Sequence, residues 1–204
     1  MRHTLAVFLL LAAAAASLTQ AGDRPKPGDM VNNPPYAHWA QFGVGMSVTT
    51  KEVVTLADGT TVESVITSKL VSKSKDRLTV ETLVTAGGAD KQAGVAEQTR
   101  TLTDFPAKVK FERTHSPETA GYSVTEGKEI VDVKGKQVEA EWVEATSTKG
   151  DETVVEKVWT AQDVPGGIVK HAVTKKKGAQ VASQSAVELV EFVVKPGAKA
   201  PVKK

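Results

Sequence analysis

The sequence contains no cysteine. That removes disulfides, thiol nucleophiles, thiolate metal sites and thiol redox chemistry together, so the fold must be held by burial and hydrogen bonding. Histidine is scarce too: His3, His38, His115 and His171 are the four in 204 residues. They form no His-x-His or His-x-x-x-His pair of the kind a catalytic zinc centre draws on, and the last three read as unrelated surface or edge histidines. There is no Gly-x-Ser-x-Gly nucleophile elbow, no Asp-rich calcium loop and no glycine loop between a strand and a helix to cradle phosphate. Aromatics make up only 5% of the chain, too few for a nucleic-acid stacking platform. The longest apolar run, Leu5 to Ala16, falls short of the about 20 residues that a membrane-spanning helix needs.

Charge of one sign is missing as well. With Arg2 and the four lysines at 195, 199, 203 and 204 set aside, residues 22–194 carry 21 basic and 24 acidic side chains, a net of −3. A near-neutral body with a short basic tail lacks the basic face or stripe by which proteins hold nucleic acid.

What is present begins with an export signal. Arg2 and His3 precede the apolar run, and Ser17 to Ala21 ends in small residues. This is the charged, hydrophobic and small-residue order of a cleavable signal peptide, here residues 1–21. The mature chain is expected to be exported, periplasmic or extracellular, with no stable membrane insertion after cleavage. Residues 22–36 hold four prolines and two glycines and suggest an extended linker. Ala37, Trp39, Ala40 and Phe42 suit one helical turn, stopped by Gly43 and Gly45. Residues 195–204 read as a basic disordered tail.

From Val44 to 194 the pattern is strand after strand. Ala107, Val109 and Phe111 alternate with Lys108, Lys110 and Glu112; Val138, Ala140 and Trp142 alternate with Glu139 and Glu141. A strict period of two argues for antiparallel sheet with one face wet. Asp58-Gly59, Asp76, Lys134-Gly135, Gly150 and Gly178 mark the reversals. The fold class expected is mainly β over residues 37–194: a single antiparallel meander, a curved sheet or half-barrel of about ten strands, with minimal helix after the signal peptide. Strands are expected at 46–56, 60–72, 77–85, 94–103, 107–113, 121–132, 136–147, 152–161, 167–176 and 180–193. The stretches 58–88 and 134–167 share a turn, strand, turn, strand, glycine-pair order that suggests two similar sheet halves.

Paired carboxylates are the remaining route to acid–base catalysis. Glu139 and Glu141, Glu152 and Glu156, and Glu188 and Glu191 are the pairs on offer. Glu139 and Glu141 alternate with apolar residues and so point to solvent, where a carboxyl keeps an ordinary pKa. No catalytic residue, metal ligand or cofactor is assigned. The aromatics Trp39, Phe42, Trp142 and Trp159 are expected to anchor the core or line an apolar ligand cavity.

The run from Glu156 to Phe192 carries Trp159 at a strand end, Pro165 in the following loop, Ile168, Val169 and Lys170 opening the next strand, and Gly178 in a turn. In these motifs the chain resembles exported bacterial β proteins of the lipoprotein-carrier superfamily and uncharacterised relatives. The opening segment 33–48 looks similar to the start of small exported proteins with the same ending. The resemblance implies a curved half-barrel whose concave apolar face takes an acyl chain or another hydrophobic ligand. Three readings follow: a non-enzymatic carrier or sensor of a hydrophobic small molecule, an interaction protein contacting other envelope proteins, and, ranked last, a Glu-based hydrolase.

Overall fold

The computed structural model describes residues 25–87, 97–111 and 121–194. The signal segment, His115 and the basic tail lie outside them. The elements are β1 (Met30–Asn32), α1 (Pro34–Ala40), β2 (Ser47–Leu56), β3 (Thr61–Lys73), β4 (Arg77–Gly87), β5 (Glu97–Pro106), β6 (Lys108–Lys110), β7 (Ser123–Val133), β8 (Lys136–Lys149), β9 (Glu152–Thr160), β10 (Ile168–Lys177) and β11 (Gln180–Val193).

Nine strands form one antiparallel sheet in the order β5-β4-β3-β2-β11-β10-β9-β8-β7, open at β5 and β7. It is made of two meandering runs rather than one pass along the chain. β2 to β5 step outward to one edge; the chain then crosses to the opposite edge and steps back through β7 to β11. The last strand closes on the first, with Val187 opposite Glu52 and Phe192 opposite Val48.

The crossing starts at Pro106, whose ring removes a backbone donor at the end of β5. There the chain leaves the sheet, and the alternating segment at 107–113 supplies three residues that pair with β1 in a separate two-stranded sheet. Alternation reports a two-sided strand but not its partner, so this segment is corrected from a member of the main sheet to a small outlying ribbon. Met30–Asn32, within the proline-rich stretch, is the other half of that ribbon. Buried Asn33 fastens the junction: its side-chain amide donates to the Pro106 carbonyl at 2.8 Å and its backbone N–H to Ala107 at 3.0 Å.

The helix starts at Pro34, three residues before the apolar spacing suggests, because proline's fixed φ suits a first helical turn that needs no donor. A bulge in β3 between Leu70 and Ser72 places Lys73 opposite Leu78, on the face that α1 covers. From there the Lys73 amine donates to the carbonyls of Ala40 and Phe42, capping the helix C-terminus. Tyr36 ties the other flank of α1 to the β3–β4 turn, its hydroxyl donating to the Lys75 carbonyl at 2.7 Å.

The core gathers at this end of the sheet. Trp39 packs with Val48, Leu70, Leu78, Val80 and Leu189, joined by Val131, Val133, Val138 and Ala140 from the β7–β8 hairpin and by Ala161, Val164 and Val169 around the β9–β10 connection. The hairpin reaches past the end of β9 to do so, since β9 stops opposite Glu141. Its turn is Lys134-Gly135 with φ of +49° and +81°, the two positive values that a two-residue type I′ reversal requires. Asp132 accepts the Gly135 N–H at 3.1 Å.

Candidate functional site

The two faces of the sheet differ. On β3 and β11 side chains alternate: those sharing a face with Val48 are buried or half-buried, and those on the other face are mostly exposed. Neighbours across strands share a face, so the sheltered face can be followed by register. One row runs Val143, Val158, His171, Val187, Glu52 and Ser64 over β8, β9, β10, β11, β2 and β3. The row beside it runs Ala145, Glu156, Val173, Ser185, Val54 and Val62 over the same strands. Toward the core lie Leu189, Thr50, Ile66 and Val84. α1 covers one end of this face, against β4 and β5. Beyond it, among the described residues, no further helix lies over the sheet.

Charge is segregated in the same way. On β2 to β5 the ion pairs Lys51–Glu63 (2.8 Å), Arg100–Glu81 and Arg77–Asp104 (3.4 Å) all lie on the opposite face. The sheltered face there carries valine, isoleucine, threonine and serine, with Glu52 in its middle and Lys73 turned to the helix carbonyls. Such hydroxyls are satisfied across strands, as in the Ser68–Thr82 contact at 3.3 Å.

The polar centre of this face is a small cluster. His171 Nε2 lies 2.9 Å from Glu156 Oε1, and the His171 side chain is only 15% exposed. The hydrogen bond from His171 holds the Glu156 carboxyl below its ordinary value, against the opposing effect of burial. An ionised carboxylate only accepts, so Nε2–H donates and Nδ1 is left as an acceptor while the ring is neutral. Two strands away, burial raises the pKa of Glu52, with the charge of His171 pulling it the other way.

The opposite face of β8 and β9 carries the second concentration of side chains. Trp142 and Trp159 are cross-strand partners. The Lys157 amine sits 3.8 Å from the Trp142 ring centroid and 4.8 Å from that of Trp159, a double cation–π contact. Glu144 stands 3.9 Å from the same amine. Beneath Trp142 lies Gly127, where the space is taken by the indole. The buried Trp159 Nε1 has no hydrogen-bond partner among the described residues.

The four aromatics singled out by sequence are therefore not brought to one place. Trp39 and Phe42 are 6% and 5% exposed at the helix end, whereas Trp142 and Trp159 share the face opposite His171. Trp159 also packs against the core. Of the carboxylate pairs, Glu139, Glu141, Glu152, Glu188 and Glu191 are exposed; Glu141 pairs with Lys128 and Glu191 with Lys134, each at 2.8 Å. Glu156 is separated from them by its partner on the sheltered face.

Two histidines need correction. His171 is half-buried and bonded, and His38 packs on Gly167 in the β9–β10 connection, where burial lowers its pKa. The signal for His171 was in the period of two, which puts Glu156, Val158, His171 and Val173 on one face once the 161–167 reversal joins their strands. Among the described residues no hydroxyl hydrogen-bonds His171, and no three His, Asp or Glu side chains are grouped as metal ligands. Shallow depressions of about 230 Å³ beside Phe192 and about 240 Å³ beside Ile130 lie at the β7–β8 hairpin, away from this cluster.

The architecture defines an open, curved antiparallel β-sheet with one sheltered face. No protein-family model and no curated protein matches the chain. Among solved structures it is similar to a proposed exported protein of YmcC-like fold from Bacteroides fragilis, at 12% identity over 74% of this chain and 97% of that one, with a TM-score of 0.39. It is also similar to a proposed outer-membrane lipoprotein-sorting domain from Vibrio parahaemolyticus: 13% identity, 80% and 92% of the two chains, TM-score 0.30. A third is a DUF1329 family protein from Desulfovibrio piger, at 11% identity, 80% and 91% coverage, TM-score 0.25.

Proposed function

We propose that the mature chain is an exported, non-catalytic binding domain that holds the apolar part of a small hydrophobic or amphiphilic molecule against its sheltered sheet face. The observation that carries this reading is the set of half-buried aliphatic side chains (Val54, Val62, Ile66, Val158, Val173 and Val187) on the sheltered face of the sheet. Apolar surface of this kind gains free energy when a ligand removes it from water, at about 25 cal/mol per Å². Export rests on the N-terminal signal pattern.

Native mass spectrometry of protein purified from its own cell envelope tests the reading. It should show a mass above that of the bare mature polypeptide, with the excess released by organic solvent. A bare polypeptide that takes up no neutral hydrophobic dye would contradict it.

A second reading, contact with another envelope protein, is favoured by the edge strand β7, whose outer edge has no strand partner among the described residues and along which Ile130 is 66% and Val124 44% exposed. A pull-down lost on Ile130→Lys, with dye binding intact, would support it.

A further inference from the structure

The sheltered face holds its charges in a particular balance, and that balance selects the ligand's polar end. We infer that the occupant of this face is an amphiphile with a cationic, ammonium-type head, seated with its chain on the valine rows and its head at Glu52, Glu156 and His171. This rests on the reading of the sheltered face as the binding surface, and it adds the class of headgroup.

The two central rows of this face carry Glu52, Glu156 and His171, and the other charged groups that register places on it, among them Glu126, Lys128, Glu141, Lys149, Glu152, Lys73, Lys175 and Lys177, lie on the edge strand or toward the strand ends. Lys73 is turned to the helix carbonyls of Ala40 and Phe42. Lys175 is exposed, four residues along β10 from His171, about 13 Å at the rise of a strand. Glu126 lies on the edge strand opposite Val143. No lysine or arginine pairs with Glu52 or Glu156 among the described residues, and the one partner of Glu156 is His171.

The centre is thus rich in acceptors: the Glu52 carboxyl, the second Glu156 oxygen and, with a neutral ring, His171 Nδ1. Glu52 is half-buried with no lysine or arginine paired to it among the described residues, and the charge of His171 two strands away only partly offsets its burial, so an ammonium brought in with an alkyl chain adds compensation. A carboxylate head would instead stand among two glutamates, where like charges repel. On β2, β3 and β11 the flanking rows are aliphatic and hydroxylic (Thr50, Ile66 and Leu189 on one side, Leu56 and Ser183 on the other), so a chain laid along those strands meets no competing charge.

The test is isothermal titration calorimetry of the mature chain with three twelve-carbon probes below their micelle concentrations: dodecyltrimethylammonium, dodecanoate and 1-dodecanol. The ammonium probe should bind about tenfold more tightly than dodecanoate at pH 7.5, with dodecanol between them. Glu52→Gln combined with Glu156→Gln should abolish that preference and leave dodecanol affinity unchanged. Glu63→Gln on the opposite face should leave all three unchanged. Dodecanoate binding as tightly as the ammonium probe, or a preference that survives the double substitution, would overturn the headgroup assignment while keeping the hydrophobic site. Failure of all three probes to bind would overturn both.

Discussion

Gly127 lies directly under the indole of Trp142: a Cβ at residue 127 would come within 2.6 Å of the ring. The contact fixes Trp142 from below while Lys157 sits above it. Gly127→Ala should therefore displace the ring and loosen the Trp142–Lys157–Trp159 stack, at about 1–3 kcal/mol. Urea unfolding together with tryptophan emission checks this; a variant with the midpoint and spectrum of the parent would show that the ring moves aside freely.

Two leucines in contrasting environments report where the core lies. Leu70 is fully buried at the helix end, and Leu102 is 60% exposed on the edge strand β5. Leu70→Ala should cost about 2–5 kcal/mol, and Leu102→Ala should stay within about 0.5 kcal/mol. Equal effects in chemical denaturation would mean that the core does not lie where Trp39 and Leu70 meet.

Capping of α1 by a distant strand is also testable. Lys73→Met keeps the aliphatic stem but leaves the Ala40 and Phe42 carbonyls without their donor, so stability should fall by about 1–2 kcal/mol. Hydrogen exchange should then rise in 34–42 before the sheet. Unchanged protection there would show that solvent satisfies those carbonyls equally well.

Stability should also depend on pH through His38. Burial against Gly167 lowers its pKa in the folded state below the ordinary 6.5. The unfolded chain therefore takes up the proton first on acidification. The stabilisation is complete above about pH 6.5 and is lost as pH falls through the folded value. His38→Gln should flatten the unfolding free energy between pH 7 and that lower value. Below pH 4.5 a second loss should follow from Glu156, whose folded pKa is lowered by His171 and whose contribution exists only while it is ionised. A His38→Gln profile parallel to the parent's between pH 7 and 5 would remove His38 as the cause of the first loss.

Much of this fold was legible in the residues. The period of two at Val138, Ala140 and Trp142, and the reversals at Asp58-Gly59 and Lys134-Gly135, located nearly every strand to within a few residues, because side-chain alternation and turn chemistry are local properties. Which strand lies beside which is not local. Nothing in residues 47–56 or 180–193 says that β2 pairs with β11, and Lys108–Lys110 alternates as cleanly as any strand yet pairs with Met30–Asn32. The His171–Glu156 contact needed both the face assignment and the strand pairing. The stacked pair Trp142 and Trp159 needed the register of β8 on β9, which the sequence of each strand alone leaves open.

The central claim, that one face of the sheet binds a hydrophobic ligand, is tested most directly by two substitutions one residue apart on β11. Val187 lies on the sheltered face and Ala186 on the exposed one. Fluorescence titration of the mature chain with Nile red should give saturable binding that Val187→Asp abolishes and Ala186→Asp leaves intact, both variants keeping the parent's far-ultraviolet circular dichroism. Saturable binding that survives Val187→Asp, or no saturable binding to the parent protein, would contradict the account.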